Sequence, residues 1–348
     1  RKDSIKGKII VVGDGSQLPP VNEKYSLVFR TDDIPSYELK EIMRYKGNIV
    51  SLCNKIRDLV EDDTIKLSFK DYEDTKIKKY KNFDKWVNSY LRIFSLKKLN
   101  DIPIFIVYTN YQCDQINNIV RNNIFKNKKE DIDSYIEDNK LLDKYVNGEI
   151  ILFNNYYKSN NKLKYYTSQK EKVMLVYKDI YRTFNIETDI LQKLHTYYFD
   201  NTKIMEEIKF ILGELFNIID NISIPIYKLH LSNKDIILVI EFKDKYDILI
   251  EESRCILIKL KKLIERNCKC NMEFMTFLWE YYYEKLVDKF ADISYGYCIT
   301  THKSQGSTFS STYVDMNNII TKNKNKEESY RCLYTAITRT NNKLRILV

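Results

Sequence analysis

The stretch YGYCITTHKSQGST, residues Tyr295–Thr308, joins an apolar run to a dense polar block. The apolar part, Tyr295–Thr300, predicts a strand. Thr301–Thr308 then supplies hydroxyls, an imidazole, one ammonium group and a glycine at consecutive positions. These groups suit close, sequence-independent contact with a phosphodiester backbone. A plain Ser/Thr/Gly loop is the alternative, but turn composition does not account for this ordered polar block.

The segments on both sides of this block alternate between strand and helix patterns. Strand–helix units of this kind build parallel sheets, so they predict an α/β fold. The predicted strands are Pro103–Tyr108, Thr312–Met316 and Lys343–Val348, and the predicted helices lie within Tyr37–Val60, Phe83–Phe94, Asp114–Phe125 and Glu327–Thr338.

A second polar run, GDGSQLPPV at Gly13–Val21, follows a predicted buried strand at Lys8–Val12. Asp14 and Gln17 then lie at the end of a strand, where α/β proteins place ligand contacts. A glutamine amide can bond a phosphate oxygen or a water without adding charge. The alternative is a tight turn, since turn chemistry alone explains Gly-Asp and Pro-Pro.

The middle of the chain departs from this alternation, and Gly148 to about Asp292 is interpreted as an inserted unit. Its predicted strands are Gly148–Phe153, Lys172–Tyr177 and Asp235–Phe242, and its predicted helices are Met205–Ile219 and Tyr246–Arg266. Trp279 and Tyr281–Tyr283 have the side chains to stack on bases, although core packing is the commoner fate of aromatics at helical spacing.

Composition limits the classes of partner. The 348 residues carry 57 Lys and Arg against 48 Asp and Glu, a net charge of +9 that favours an acidic partner such as nucleic acid. The sequence has no apolar run long enough to span a membrane. Its N-terminal residues also lack the apolar core of a signal peptide. Seven scattered cysteines favour a reducing intracellular compartment over a disulfide scaffold. Cys268-Lys-Cys270 lacks the spacing of a zinc site, so no metal site is predicted.

Three runs, in this order, resemble motifs III, V and VI of superfamily 1 nucleic-acid helicases, in particular the RecD/Dda-like branch. They are GDGSQLPPV, YGYCITTHKSQGST and YRCLYTAITRT, the last at Tyr330–Thr340. ELKEIMRYKGNIV at Glu38–Val50 resembles the motif IV region, and IFIVYTNYQCDQIN at Ile104–Asn117 resembles the branch's strand-turn-helix with a T-N signature. The resemblance is weak or absent over about 156–271.

The resemblance implies a RecA-like parallel-sheet domain of the P-loop NTPase fold with an inserted α+β unit. Residues 1–36 would end a first RecA-like domain, 37–147 and 293–348 would form the second, and 148–292 would be the inserted domain. In the family this insertion holds a small β-barrel, and GEIILFNNYY at Gly148–Tyr157 resembles its entry. Here the insertion is larger and more helical.

The resemblance also implies roles for individual residues. Gln17, Arg44 and Arg339 would read the γ-phosphate of ATP, with Arg339 as an arginine finger. The remaining implied nucleotide contacts are Asp14, Gln305 and Gly306. The implied nucleic-acid contacts are Pro19, Pro20, Thr109, Asn110, Thr301, His302, Lys303, Ser304, Ser307 and Thr308. Taken singly, Arg44 also suits a surface ion pair, Asn110 a helix cap and Arg339 a helix C-terminus.

The expected function is therefore the C-terminal part of an ATP-dependent DNA helicase moving 5′ to 3′ on single-stranded DNA. No G-x-x-x-x-G-K-[ST] loop occurs in the chain. We expect ATP and Mg²⁺ to be held mainly by an upstream RecA-like domain, and this chain alone not to hydrolyse ATP. A truncated helicase-like binding module without motor activity is the alternative. The sequence leaves RNA open as a partner, because RNA is distinguished by sugar contacts.

Overall fold

The structure is a computed structural model that describes residues 10–19, 31, 35–37, 47–61, 68–94, 101–126, 142–159, 164–197, 202–267 and 272–348. Arg44 and Pro20, both predicted to be site residues, lie outside these described residues. The chain divides into two compact units, one formed by Arg1–Leu142 with Tyr295–Val348 and the other by Asp143–Ser294.

The helices and strands have the following bounds. The helices are α1 (Asn48–Glu61), α2 (Phe83–Phe94), α3 (Asn110–Phe125), α4 (Ile186–Leu194), α5 (Thr202–Ile219), α6 (Lys243–Asn267), α7 (Met272–Tyr282), α8 (Thr301–Ser304), α9 (Met316–Lys322) and α10 (Lys326–Thr338). The strands are β1 (Ile77–Tyr80), β2 (Ile104–Val107), β3 (Ile150–Phe153), β4 (Tyr157–Lys158), β5 (Lys164–Tyr165), β6 (Lys170–Arg182), β7 (Ser223–Leu231), β8 (Ile236–Ile240), β9 (Ile293–Tyr295), β10 (Cys298–Thr300), β11 (Phe309–Asp315) and β12 (Thr340–Leu347).

A five-stranded parallel sheet in the order β1-β12-β11-β2-β10 forms the centre of the first unit. Every residue of β2 is buried, as expected for a strand covered on both faces. Thr312 of β11 pairs with Ile104 on one side of β2, and Cys298 of β10 pairs with Phe105 on the other. The predicted α/β fold class, a parallel sheet with helices, is confirmed.

An aromatic cluster fixes α2 on this sheet. Trp86 and Tyr90 lie on one face of α2, and their ring centroids are 4.7 Å and 4.4 Å from that of Phe105. Tyr313 of β11 completes the cluster, 5.8 Å from Trp86. Trp86 Nε1 donates to the carbonyl oxygen of Arg345 at 3.3 Å, so the buried indole nitrogen is satisfied.

The second unit combines an antiparallel sheet with helices. Its sheet runs β8-β7-β6-β3-β9, with β8 and β9 as edge strands among the described residues. Apolar residues of α4, α5, α6 and α7 form one core with residues of β7 and β8. Tyr282 is buried in that core and Trp279 packs against it, so these two aromatics serve packing. Within the described helices, none combines the length and apolarity needed to cross a membrane.

Two sequence expectations about elements were wrong or incomplete. In the predicted strand Lys8–Val12, the described residues Ile10, Val11 and Val12 form no strand and are 85%, 55% and 82% exposed. A strand needs a ladder partner, and none pairs with them in the described part of the chain. The sequence also missed β7, which pairs with β6 over nearly its whole length.

Candidate functional site

The polar block Thr301–Thr308 begins as the short helix α8 at the carboxyl end of β10. Thr301 and Ser304 are fully buried, and their hydroxyls donate to the carbonyl oxygens of Val107 and Thr301 at 3.1 Å and 2.7 Å. Both residues were predicted to contact nucleic acid. In the structure the Thr301 hydroxyl anchors α8 to the end of β2, and the Ser304 hydroxyl bonds within α8.

The remaining block residues turn toward solvent. Gly306 has a φ of +81°, a left-handed conformation that glycine adopts without a steric penalty. Ser307 N donates to the carbonyl oxygen of Ser304 at 3.1 Å and closes the turn. The exposed residues are His302, Lys303, Gln305, Gly306 and Thr308, while Ser307 is half-buried. One ammonium group, one imidazole and several small polar groups are therefore available to a ligand.

Asp14 organises the described part of the Gly13–Val21 loop. Its carboxylate accepts hydrogen bonds from Ser16 N at 3.0 Å and from Gln17 Nε2 at 3.1 Å. It also accepts one from the hydroxyl of Tyr334, on α10, at 3.0 Å. Gln17 is half-buried, so its amide is held at the loop surface by Asp14.

Leu18 docks this loop on both α10 and the polar block. Its amide N–H donates to Thr335 Oγ1 at 3.3 Å, and its carbonyl oxygen accepts from Gln305 Nε2 at 3.1 Å. The Leu18 side chain is only 6% exposed. Pro19, the last described residue of the loop, is half-buried.

Arg331 of α10 is a further contact that the sequence reasoning missed. Its guanidinium donates to the carbonyl oxygen of Gly15 and, at 3.4 Å, to that of Gln17. Glu327, one turn earlier, holds the same guanidinium through an ion pair at 3.0 Å. The i, i+4 spacing of Glu327 and Arg331 was visible in the sequence, but their contact with a loop over 300 residues away was not.

Arg339 lies at the C-terminal end of α10 and is 1% exposed. Its Nε donates to the carbonyl oxygen of Thr335 at 3.0 Å, and its terminal nitrogens donate to Ser307 O at 3.3 Å and Thr338 Oγ1 at 3.0 Å. The guanidinium therefore caps main-chain carbonyls and ties α10 to the polar block. These contacts are those of the helix-terminus alternative raised by the sequence.

The end of β2 is held by a side-chain clamp from α9. Asn318 Oδ1 accepts the backbone N–H groups of Tyr108 at 2.8 Å and Thr109 at 3.0 Å. Thr109 caps α3 by accepting from Gln112 N at 3.2 Å, whereas Asn110 is the first helical residue and is exposed. The cap is therefore Thr109, and the alternative assigning it to Asn110 was wrong.

The Asp315 carboxylate holds Asn318 in position. Its carboxylate accepts from Asn318 N at 2.9 Å and from Gln112 Nε2 at 3.2 Å. Burial raises the pKa of this carboxyl, and the two donated hydrogen bonds oppose the increase. The Tyr108 ring also lies 6.0 Å from the imidazole of His302, which brings the end of β2 beside the polar block.

The structure thus brings together three separate parts of the chain: the Gly13–Pro19 loop, the polar block, and α10 with Arg339. Thr335 is the shared residue, because its hydroxyl accepts from Leu18 and its carbonyl oxygen accepts from Arg339. The end of β2, with Thr109 and Asn110, lies next to them.

Comparison with known proteins finds a family match over part of the chain. Residues 295–347, which include the polar block and α10, match the family described as UvrD-like helicase C-terminal domain. Among solved structures, the chain is similar to a Pif1 helicase from Candida albicans, with 16% identity and a TM-score of 0.37 over 96% of this chain and 62% of that one. It is also similar to a Pif1 helicase from Bacteroides in complex with ADP-AlF3 and ssDNA, with 13% identity and a TM-score of 0.39 over 96% of this chain and 60% of that one. The chain thus spans less than two thirds of either helicase.

A closer relationship in sequence joins the chain to a viral protein. Uncharacterized protein R530 of Acanthamoeba polyphaga mimivirus is 31% identical over 363 residues, a match that covers 98% of this chain and 69% of the relative. On this identity and coverage, the chain belongs to the same family as protein R530 of Acanthamoeba polyphaga mimivirus.

Proposed function

We propose that this chain is the C-terminal part of an ATP-dependent superfamily 1 DNA helicase that translocates 5′ to 3′ on single-stranded DNA. In this proposal 37–147 and 293–348 form the second RecA-like domain, 1–36 ends the first, and 148–292 is inserted. The match of 295–347 to a helicase C-terminal domain supports the assignment.

The observation that carries the proposal is the junction at Thr335. A motor must couple a nucleotide site to a strand-binding surface, and here one residue bonds both the Gly13–Pro19 loop and Arg339. Arg339 in turn bonds Ser307 of the polar block, and Gln305 bonds Leu18. A shift of the loop on nucleotide binding would therefore reach the polar block through direct hydrogen bonds.

The nucleotide supplies free energy through hydrolysis of its γ-phosphate. Gln17 offers an uncharged amide donor at the loop surface, and Arg44 and Arg339 are proposed to supply guanidinium donors suited to phosphate. Gly306, which has no side chain, lets a phosphate approach the backbone closely. In this proposal an upstream RecA-like domain supplies most contacts to ATP and Mg²⁺.

Single-stranded DNA is the proposed partner of the exposed side of the polar block. Lys303 supplies the positive charge, while His302, Ser307 and Thr308 supply hydrogen-bonding groups. Such groups bind phosphates without reading bases, as a translocating enzyme requires. Thr301 contributes indirectly by fixing α8 against β2, and Ser304 by closing the turn of α8.

The test uses the full-length protein that carries this chain. Arg339→Lys should lower ssDNA-stimulated ATP turnover by about 10³-fold or more while ssDNA affinity stays unchanged, the signature of an arginine finger. Thr338→Val is the matched control, because it removes a hydrogen-bond partner of Arg339 but keeps the guanidinium. Equal loss of turnover and binding in Arg339→Lys, or unchanged turnover, would contradict the finger role.

One observation favours a second candidate, a helicase-like nucleic-acid-binding module without motor activity. The Arg339 guanidinium is buried and bonded to main-chain and hydroxyl oxygens, which is a structural use of the residue. If the full-length protein binds ssDNA but shows no ATP hydrolysis with or without it, the binding module is the correct function.

A further inference from the structure

His302, Glu328 and Cys332 form a compact cluster of three different ligand types. His302 comes from α8 in the polar block, whereas Glu328 and Cys332 come from α10. One ligand atom from each residue lies within 4.8 Å of the other two. Cys332 is a free, buried thiol, Glu328 is half-buried and His302 is exposed, so the cluster reaches from the core to the surface.

Secondary structure places these ligands. Glu328 and Cys332 are four residues apart on α10 and therefore share one face of the helix. Asn325 caps α10 by accepting from Glu328 N at 3.2 Å, which fixes the first turn and the carboxylate on it. Thr300 caps α8 through Lys303 N at 3.5 Å and fixes the turn that carries His302.

The donor set matches a borderline metal ion. Imidazole nitrogen, carboxylate oxygen and thiolate sulfur are the three protein donors that Zn²⁺ uses, at bond lengths that put neighbouring ligand atoms roughly 3.5 Å apart. The ligand atoms of the three residues lie within 4.8 Å of one another, so they are separated by up to roughly 1.3 Å more than in a bound zinc site. Because His302 is exposed, a small rotation of its side chain can close that difference without disturbing the core.

The side chain of Asn323 supports the assignment of the Cys332 sulfur as a metal ligand. The side-chain nitrogen of Asn323 is buried and makes no hydrogen bond of acceptable geometry within the described residues. The Asn323 side chain lies beside the Cys332 thiol. A metal-bound Cys332 sulfur would be an acceptor for this N–H, and such outer-shell hydrogen bonds are usual at metal sites.

We propose that His302, Glu328 and Cys332 bind one divalent transition-metal ion, with Zn²⁺ the best match. The ion would cross-link the polar block to α10 and leave a fourth coordination position to water, as zinc sites with three protein ligands do. It would also withdraw one nitrogen of His302 from solvent. This proposal is independent of the helicase assignment, since it requires neither nucleotide nor DNA.

The experiment titrates the purified, reduced chain with Zn²⁺ against a chromogenic chelator. Cys268→Ser/Cys270→Ser serves as the background, so that this thiol pair cannot supply the binding. We expect one Zn²⁺ per chain, with affinity reduced at least about 100-fold in His302→Ala, because even outer-shell changes cost 10–100-fold. His195→Ala and Cys255→Ser are matched controls for generic imidazole and thiol binding, and both should bind as the background does.

Co²⁺ provides a readout of the sulfur ligand. The background protein should show a thiolate-to-cobalt charge-transfer band and the visible absorption of a tetrahedral site, and Cys332→Ser should lose the charge-transfer band. Glu328→Gln keeps the shape of the side chain and should weaken Zn²⁺ binding without unfolding α10, as circular dichroism would verify. Failure of the background protein to bind Zn²⁺, or equal binding by His302→Ala, would overturn the proposal.

Discussion

The hydroxyl of Tyr334 donates a hydrogen bond at 3.0 Å to the carboxylate of Asp14, 320 positions earlier in the chain. Burial and the neighbouring Asp14 carboxylate raise the pKa of Tyr334, so its hydroxyl stays protonated and remains a donor. The same carboxylate accepts from Ser16 and Gln17. This bond therefore connects the residue that organises the Gly13–Pro19 loop to α10.

Tyr334→Phe should release the loop while leaving the ring packing of α10 in place. A hydrogen bond to a charged group contributes up to about 3 kcal/mol, but Asp14 is exposed, so we expect about 1 kcal/mol. The measurement is hydrogen–deuterium exchange of peptides that cover 13–19, which should exchange faster. Tyr330→Phe, on the same helix, is the control and should leave that exchange unchanged. Unaltered exchange in Tyr334→Phe would show that the hydroxyl does not hold the loop.

Asn318→Ala should destabilise the first unit by removing the clamp on β2. The amide N–H groups of Tyr108 and Thr109 would lose their common acceptor, at a cost of about 1–3 kcal/mol for each donor left unsatisfied. Urea unfolding measures the change in the free energy of unfolding. The neighbouring Asn317 is exposed, so Asn317→Ala should change stability by less than about 0.5 kcal/mol. Similar values for the two variants would refute the clamp.

Lys303→Ala should weaken ssDNA binding uniformly across sequences, because the proposed function assigns its exposed ammonium to phosphates and not to base edges. Each phosphate contact to single strands contributes about 0.7 to the slope of log affinity against log salt concentration, so the slope should fall by about that amount. Fluorescence anisotropy over a salt series gives the slope. Lys343→Ala, another exposed lysine outside the block, should leave it unchanged; equal changes in both variants would mean diffuse charge and not a site.

The parts of the fold that the sequence predicted are those set by local pattern. Ile104–Val107 is a short, wholly apolar run and became a buried central strand, and Lys326–Thr338 became a helix within a residue of the predicted bounds. β7 was missed because Pro225, which cannot donate a ladder hydrogen bond, lies near its start. A strand that contains a proline is recognised only when its pairing partners are known.

The sequence identified the polar block as a candidate site for a different reason. The order of residues in the polar block marks it as unusual, but a linear pattern does not show which hydroxyls face inward. The Thr301 hydroxyl bonds inward to the carbonyl oxygen of Val107 in β2, and the Ser304 hydroxyl bonds to that of Thr301 within α8. The Arg339 guanidinium bonds inward to the carbonyl oxygens of Thr335 and Ser307. The contacts of Arg331 and Asn318 join segments more than 200 positions apart, a distance over which no sequence pattern can be followed.

The carboxylate of Asp315 offers a prediction about pH. It is 3% exposed, and burial raises its pKa despite hydrogen bonds from Asn318 and Gln112. When a carboxyl has a higher pKa in the folded than in the unfolded state, the folded state binds more protons between the two pKa values. Its contribution to stability therefore falls as pH rises through that window and stays low above it.

Asp315→Asn should remove this pH dependence. The asparagine Oδ1 can still accept from Asn318 N, and the Gln112 amide can reverse to accept from the new side-chain N–H, so the cap of α9 is kept. The variant's free energy of unfolding, relative to that of the native chain, should be highest at neutral pH. It should then decrease toward acid as the native carboxyl regains its proton, levelling off near the unfolded value of about 3.9. Urea unfolding at intervals from about pH 7 to about pH 4 measures the difference. A difference that is constant over this range would mean that the two donors offset the desolvation of the carboxylate. A difference that grows toward acid would mean that they outweigh it and stabilise the anion.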